Sequence, residues 1–404
     1  MAVSPYLEGL RVLDFCWVGA GAFVTKMLAD LGADVIKIES RARPDNLRVS
    51  PPRRPGTSGL ESSGYFASRN SSKRSFSLDM RKPEARELAH RLAASCSVIT
   101  SNFRPGVLER WGLSYEDVRA DNPQIIYLTM PMQGASGPHR SFIGFGSTIS
   151  ALSGLMHLSG DPDRPPVGTG THYPDHVPNP GHALVGLLAA LFHRERTGEG
   201  QAIEVSQLES TINVIGSAIL EQSLGATIPA RNGNHATDAS PRGVFACGDG
   251  EWIAISATSD QAWRDLADVL GHPEWGEDVR FCTLEDRKRH EDTLDAMVRR
   301  AVTACTRDEL TRLLRARHVP AAPVNSSRDV LEDEDLVARG YWQRLAHPVI
   351  GPMAIAGPPF RIDGERPQLR SAPLLGEHTR EIAQDVLGLG AAEVERLIAE
   401  GVLE

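Results

Sequence analysis

Residues Leu10 to Glu39 constrain the fold more than any other stretch. Leu10 to Phe15 reads as a short apolar strand and Val18-Gly19-Ala20-Gly21 as a tight turn. Ala22 to Leu31 reads as a helix stopped by Gly32, and Asp34 to Glu39 (DVIKIE) as the next strand. Two strands joined by one helix lie parallel, with a right-handed crossover. The turn opens like a dinucleotide-binding fingerprint, but Val24 stands where the third glycine belongs, and Glu39 holds the place of the acidic ribose ligand. A broken fingerprint gives NAD binding little support. What survives is a turn that lets a ligand approach the backbone closely.

The same alternation continues. Asn70 to Leu78 is a basic turn running into a strand, and Pro83 to Ala94 is an amphipathic helix with proline near its start. Ser97 to Thr100 and Gln124 to Thr129 are further strands, while residues 41–65, rich in Pro, Arg, Ser and Gly, read as a surface loop. This predicts an open α/β sheet, whose ligands gather at the carboxyl ends of the strands. Gly19, Asn102 and Met130 lie there.

At 404 residues the chain exceeds one typical core, so two domains are expected. Ser210 to Leu224 is a long helical pattern leading out of the first. Pro241 to Ser256 reads as a hairpin turning at Gly248-Asp249-Gly250. Three helical segments follow, the third with a capping box of Thr306 and Glu309, and Val319 to Val324 is extended. From Tyr341 the chain is proline-rich and returns, ending in an amphipathic helix with Val394, Leu397 and Ile398 on one face. The expected division is 1–208 for the first part of a large domain, 209–234 for a linker helix, 235–328 for a small α+β domain, 329–349 for a return linker and 350–404 for the rest of the large domain.

Composition excludes several classes. A net charge of -9 and a pI of about 5.8, with no basic block, argue against nucleic acid as a partner. The cysteines at 16, 96, 247, 282 and 305 form no CxxC pair, so neither a disulfide framework nor a metal site is expected. No apolar stretch is long enough to span a bilayer, and MAVSPYLEGLRV lacks the charged start and apolar segment of a signal peptide. The expectation is a cytoplasmic protein without a membrane partner.

One carboxylate stands out. Asp175 lies between Tyr173-Pro174 and His176-Val177-Pro178, in a loop stiffened by Pro174, Pro178 and Pro180. Ala183 to Phe192 follows, apolar nearly all round, which predicts a buried helix; a turn at Thr197 to Gly200 and a strand at Ala202 to Ser206 come next. The positive end of that helix favours an ionised carboxylate, and an ionised, fixed carboxylate is a potential nucleophile. Position alone favours a simpler role as a turn or helix cap. Asp163, in DPDRPP, is the nearest alternative but sits in an ordinary turn sequence.

Six motifs together resemble the family III (formyl-CoA transferase-like) CoA-transferases. They are LEGLRVLDF at 7–15, LADLGADVIKIE at 28–39, NSSKRSFSLDMR at 70–81, SNFRPGVLERWGL at 101–113, the aspartate loop with HRERTGEGQ at 193–201, and APLLGEHT at 372–379. The resemblance implies a Rossmann-like large domain built from both chain termini, a smaller domain between, and two subunits threaded as interlocked rings, either a homodimer or a heterodimer with a related subunit. It places the family's nucleophile on Asp175. It places the residues that hold coenzyme A on Val18, Gly19, Leu78, Arg81, Asn102, Phe103, Arg110 and Trp111. Arginine suits the phosphates, and Leu78, Phe103 and Trp111 offer apolar surface to adenine or pantetheine. Ser40 stands where the family often has an arginine, which leaves Arg41 or Arg43 as substitutes.

The implied activity is transfer of CoA from an acyl-CoA to a small carboxylic acid through aspartyl anhydride and aspartyl-CoA thioester intermediates. CoA is a substrate here, and no permanently bound cofactor is implied. The loop YPDHVPNPGH, preceded by GTGTHYP, is similar to that of succinyl-CoA:benzylsuccinate CoA-transferase subunits, which implies succinyl-CoA as donor and an aromatic or dicarboxylic acceptor, with Arg140 or His172 facing its carboxylate. Two alternatives stay open. An α-methylacyl-CoA racemase needs a His–Asp pair, yet Phe145 stands at the expected histidine, leaving His139 or His176. An inactive CoA-binding subunit would not need Asp175.

Overall fold

The computed structural model describes residues 5–225 and 230–404. Residues 1–4, and residues 226–229 within the expected linker helix, lie outside the described residues. Contacts divide the chain into a larger unit, Met1–Met156, Gly168–Ile228 and Asp335–Glu404, and a smaller one, His157–Val167 and Pro229–Glu334. Residues 157–167, expected in the large domain, therefore group with the smaller unit.

The larger unit is built on six parallel strands: β1 (Arg11–Phe15), β2 (Asp34–Glu39), β3 (Arg74–Ser77), β4 (Val98–Ser101), β5 (Ile126–Thr129) and β6 (Gln201–Glu204). Their order is β3-β2-β1-β4-β5-β6, with Val12 of β1 level with Val35 of β2 and Val98 of β4. Strand side chains alternate between faces. Leu13, Phe15, Ile36, Ile38 and Ile99 pack on one side with Leu88 and Leu92 of α3 (Pro83–Ala94) and Leu397 of α10 (Ala391–Ala399). Val12, Val35, Val98 and Ile126 pack on the other with Leu28 of α1 (Ala20–Asp30) and Leu187 of α6 (Pro178–Thr197). Both ends of the chain thus build one layered core. Three short helices complete the elements around the site: α2 (Gly64–Arg69), α4 (Gly146–Leu152) and α5 (Tyr173–His176).

The smaller unit has an antiparallel sheet, β7 (Arg242–Ala246), β8 (Trp252–Ser256) and β9 (Ala321–Pro323), with α7 (Asp260–Val269), α8 (Glu291–Val302) and α9 (Arg307–Ala316) around Trp263, Phe281, Leu294 and Leu310.

Four local expectations change. Helix α6 buries only one face, because Val185, Leu188 and Phe192 are exposed. Ser210 to Leu224 is interrupted by a 3-10 turn at Asn213–Ile215. Thr306 caps α9 without a side-chain hydrogen bond, so no capping box forms. The segment expected as a return linker contains β10 (Trp342–His347), which pairs with β11 (Gly351–Ala356). Among the described residues, no helix is long and apolar enough to cross a membrane.

Candidate active site

The carboxyl ends of the first five strands open onto a cavity of about 680 Å³ in the larger unit. Asp175, Val18, Gly19, Leu78, Arg81, Asn102, Phe103, Arg110 and Trp111 all line it. Residues more than 150 positions apart thus meet because parallel strands end on one side of the sheet.

Asp175 occupies the one-turn helix α5, behind Pro174, rather than a loop. It is 8% exposed. Two glycines explain how a carboxylate fits there. A Cβ on Gly19 would lie 2.6 Å from Asp175 Oδ2, and a Cβ on Gly146 would lie 2.7 Å from the same oxygen. Among the described residues no side chain or backbone group donates a hydrogen bond to this carboxylate. Burial raises its pKa to about 6, against the opposing charge of His172. Desolvation therefore makes this group less readily ionised than its place before a helix suggests.

The turn beneath Asp175 is held from several sides. Asn102 Nδ2 donates to the Trp17 carbonyl (2.6 Å), and Trp17 N–H donates to Asn102 Oδ1 (2.9 Å). Asn102 thereby shapes the cavity wall with both ends of its amide. Val18 has φ of +63°, unusual for a β-branched residue. Along the wall, Trp17 meets Phe103 edge-on at 5.0 Å, and Phe103 meets Trp111 at 6.0 Å.

Arg43, Arg81, Arg86, Arg104, Arg110 and Arg140 bring positive charge to the cavity. Arg81 is not free, because its guanidinium is held by Asp79 at 2.7 and 2.8 Å. Arg43 lines the cavity and Arg41 does not; a bridge between Ser40 and Arg43 folds the chain back there. Glu39 gives both oxygens to the buried Arg48, at 2.6 and 2.8 Å, so it is not a ribose ligand in waiting. Leu47, Arg48, Ser62 and Ser63 are buried, which corrects the reading of 41–65 as simple surface loop.

Neither His139 nor His176 lines the cavity with Asp175. His139 stacks on Phe142 at 4.4 Å, and it is Phe145 that faces the cavity. His176 Nε2 lies 3.4 Å from Arg69 and 3.5 Å from Tyr65. Burial, with the Arg69 charge, holds His176 down at about 4, so its ring is neutral. Asp163 is exposed, in the smaller unit.

The model of CoA-transferase family III matches residues 7–379. The chain belongs to that family. This family III transferase is 33% identical over 398 residues to the succinyl-CoA–D-citramalate CoA-transferase of Chloroflexus aurantiacus, covering 98% of each chain. It is 32% identical to the alpha subunit of the succinyl-CoA–L-malate CoA-transferase of the same organism, covering 98% of this chain and 92% of that one. A CaiB/BaiF family protein from Brucella suis, known as a crystal structure, superposes with a TM-score of 0.87 at 32% identity, over 95% of this chain and all of the other. CoA-transferases use CoA thioesters as substrates, and the cavity of this transferase offers both cations and apolar wall to such a molecule.

Some of its site residues carried no sequence signal. Met132 and Gln207 line the cavity from separate segments, and Gly146 lies against Asp175. Only the racemase alternative, whose histidine would stand at Phe145, drew attention to the Gly146 segment. Nothing local marks Gly146 as the partner of Asp175.

Proposed function

We propose that this family III transferase moves CoA from succinyl-CoA to a dicarboxylic or aromatic acid, with Asp175 as the covalent nucleophile. The observation that carries the reading is a buried carboxylate, without hydrogen-bond donors, in a cavity walled by arginines and aromatic rings. The carboxylate is desolvated and so more basic than usual, yet still mostly ionised at neutral pH.

An oxygen of Asp175 bonds to the acyl carbonyl carbon; the C–S bond breaks and CoA leaves as thiolate. The thiolate then attacks the Asp175 carbonyl of the mixed anhydride, releasing the donor acid and leaving an aspartyl-CoA thioester. The acceptor carboxylate displaces thiolate from that thioester, and thiolate attacks the acceptor's acyl carbon to yield the new acyl-CoA and free Asp175. One thioester replaces another, so no ATP is consumed. The carboxylate serves as nucleophile and, once acylated, as leaving group. Burial excludes the water that would hydrolyse an anhydride.

Val18, Gly19, Leu78, Asn102, Phe103 and Trp111 would form the CoA-binding wall, with Arg110 and Arg81 toward the phosphates. The names of the D-citramalate and L-malate relatives support succinyl-CoA as donor and a dicarboxylate as acceptor. Arg140, beside Phe142, Ile143 and Phe145, suits the acceptor's far carboxylate. The exposed apolar side chains of α6 and of the segment Gly216–Ser223 support an interlocked pair, either two copies or this chain with a related subunit. Racemisation is disfavoured because, among the described residues, no histidine lines the cavity with Asp175.

The test is mass spectrometry after incubation with succinyl-CoA and hydroxylamine. A hydroxamate at Asp175, absent from Asp175→Ala, is the expected result. Absence of an adduct, with rapid deuterium exchange at the α-carbon of a branched acyl-CoA, would replace transfer with racemisation.

A further inference from the structure

We propose that the buried ion pair Lys37–Asp45 positions Asp175 for attack by clamping the Cys16–Val18 backbone. The inference rests on the transferase reading above and adds two positioning residues to it. Neither lines the cavity. Lys37 Nζ lies 2.9 Å from Asp45 Oδ2, and both side chains are fully buried.

Each end of the pair reaches the turn. Lys37 Nζ donates to the Cys16 carbonyl at 2.8 Å. Val18 N–H donates to Asp45 Oδ1 at 3.1 Å. Asn102 holds the residue between them through both its N–H and its carbonyl. Four backbone groups in three residues are thus each tied to a side chain from elsewhere in the chain. Such over-determination is what a sparsely populated backbone conformation needs in order to persist, and Val18, β-branched at φ of +63°, has one.

The next residue is Gly19, against which the Asp175 carboxylate rests. If Val18 relaxes to negative φ, the peptide joining it to Gly19 must turn, and the wall under Asp175 moves. A plain capping role accounts for only part of Asp45: it also accepts from Leu47 N–H at 2.9 Å at the start of a 3-10 turn. That role does not require the contact with Val18 or the second oxygen's pairing with Lys37. Hydrogen bonds to a paired, charged carboxylate are the stronger ones, and Asp45 lies against the Lys37 ammonium in a fully buried place.

The experiment compares wild type, Asp45→Ala and Asp45→Asn for three quantities: the rate of hydroxylamine-trapped acylation of Asp175 by succinyl-CoA, calorimetric affinity for free CoA, and thermal midpoint. Misplacement of the nucleophile predicts an acylation rate about 10²-fold lower in Asp45→Ala. CoA affinity, for which Val18 and Gly19 are only part of the proposed wall, should fall by no more than about tenfold, and Asp45→Asn, which keeps an acceptor toward Val18, should acylate at a rate between the two. Folded Asp45→Ala acylating within threefold of wild type would overturn the positioning role alone, as would acylation and CoA affinity falling by the same factor. Wild type that never acylates would overturn the transferase reading and this role with it. Should Asp45→Ala not fold, hydrogen exchange of the wild-type Val18 amide decides: the clamp predicts protection of at least about 10²-fold, and unprotected exchange contradicts it.

Discussion

Gly146 and Asp175 touch so closely that a methyl group on the glycine would lie 2.7 Å from Oδ2 of the carboxylate, and Gly19 crowds the same oxygen from another element at 2.6 Å. Neither glycine is at positive φ. Their need for glycine comes from the carboxylate, not from backbone conformation. Gly19→Ala and Gly146→Ala should therefore fold, displace Asp175 and lower acylation by about 10²-fold, since small displacements of a reacting group have that effect. Steady-state kinetics with a thermal melt would check this. A fully active Gly19→Ala would show that the carboxylate has room to spare.

The rate should report the ionisation of Asp175. Its pKa is raised to about 6 by burial, and the attacking form is the carboxylate. Activity on free enzyme and substrate should fall as pH drops through about 6 and level off above it, because kcat/KM follows the ionisation of the free enzyme. A profile flat down to pH 4.5 would mean the group ionises at its ordinary value.

The same burial makes Asp175 costly to the fold. A carboxylic acid whose folded pKa exceeds its unfolded value binds protons more tightly when folded, so stability falls as pH rises from about 3.8 to about 6, and the penalty is complete above that. The gap corresponds to roughly 2–3 kcal/mol. Asp175→Asn should be more stable than wild type at pH 7.5 by up to that amount, with the advantage disappearing near pH 4. Denaturant titrations at the two pH values measure it. Equal stability at pH 7.5 would contradict an unpaired, desolvated carboxylate.

The parallel sheet was legible because its signals are local: DVIKIE is a strand and Pro83–Ala94 a helix on the pattern of their own residues. The candidate carboxylate was legible through its resemblance, but its environment was not. Gly19 and Gly146 are 156 and 29 residues away from Asp175, and no periodicity announces their approach. Residues 41–65 misled for the opposite reason. Arginine and serine suggest solvent, yet Arg48 is buried because Glu39 and Glu61 pair with it. Helix α6 misled because uniform apolarity predicts burial without saying by what, and within this chain only one face is covered.

Arg110 should behave as a binding residue only. It lines the cavity beside Trp111, and among the described residues no carboxylate pairs with it, whereas Arg81 is already held by Asp79. An unpaired guanidinium has more to gain from a phosphate than one that must first give up a carboxylate. Arg110→Ala should weaken free CoA binding by about tenfold, and the loss should shrink with added salt because the contact is electrostatic and solvent-exposed. Arg81→Ala should cost less, about threefold, by the same reasoning. Calorimetry at two ionic strengths would separate them, and the reverse ranking would mean that CoA displaces Asp79 from Arg81 on binding.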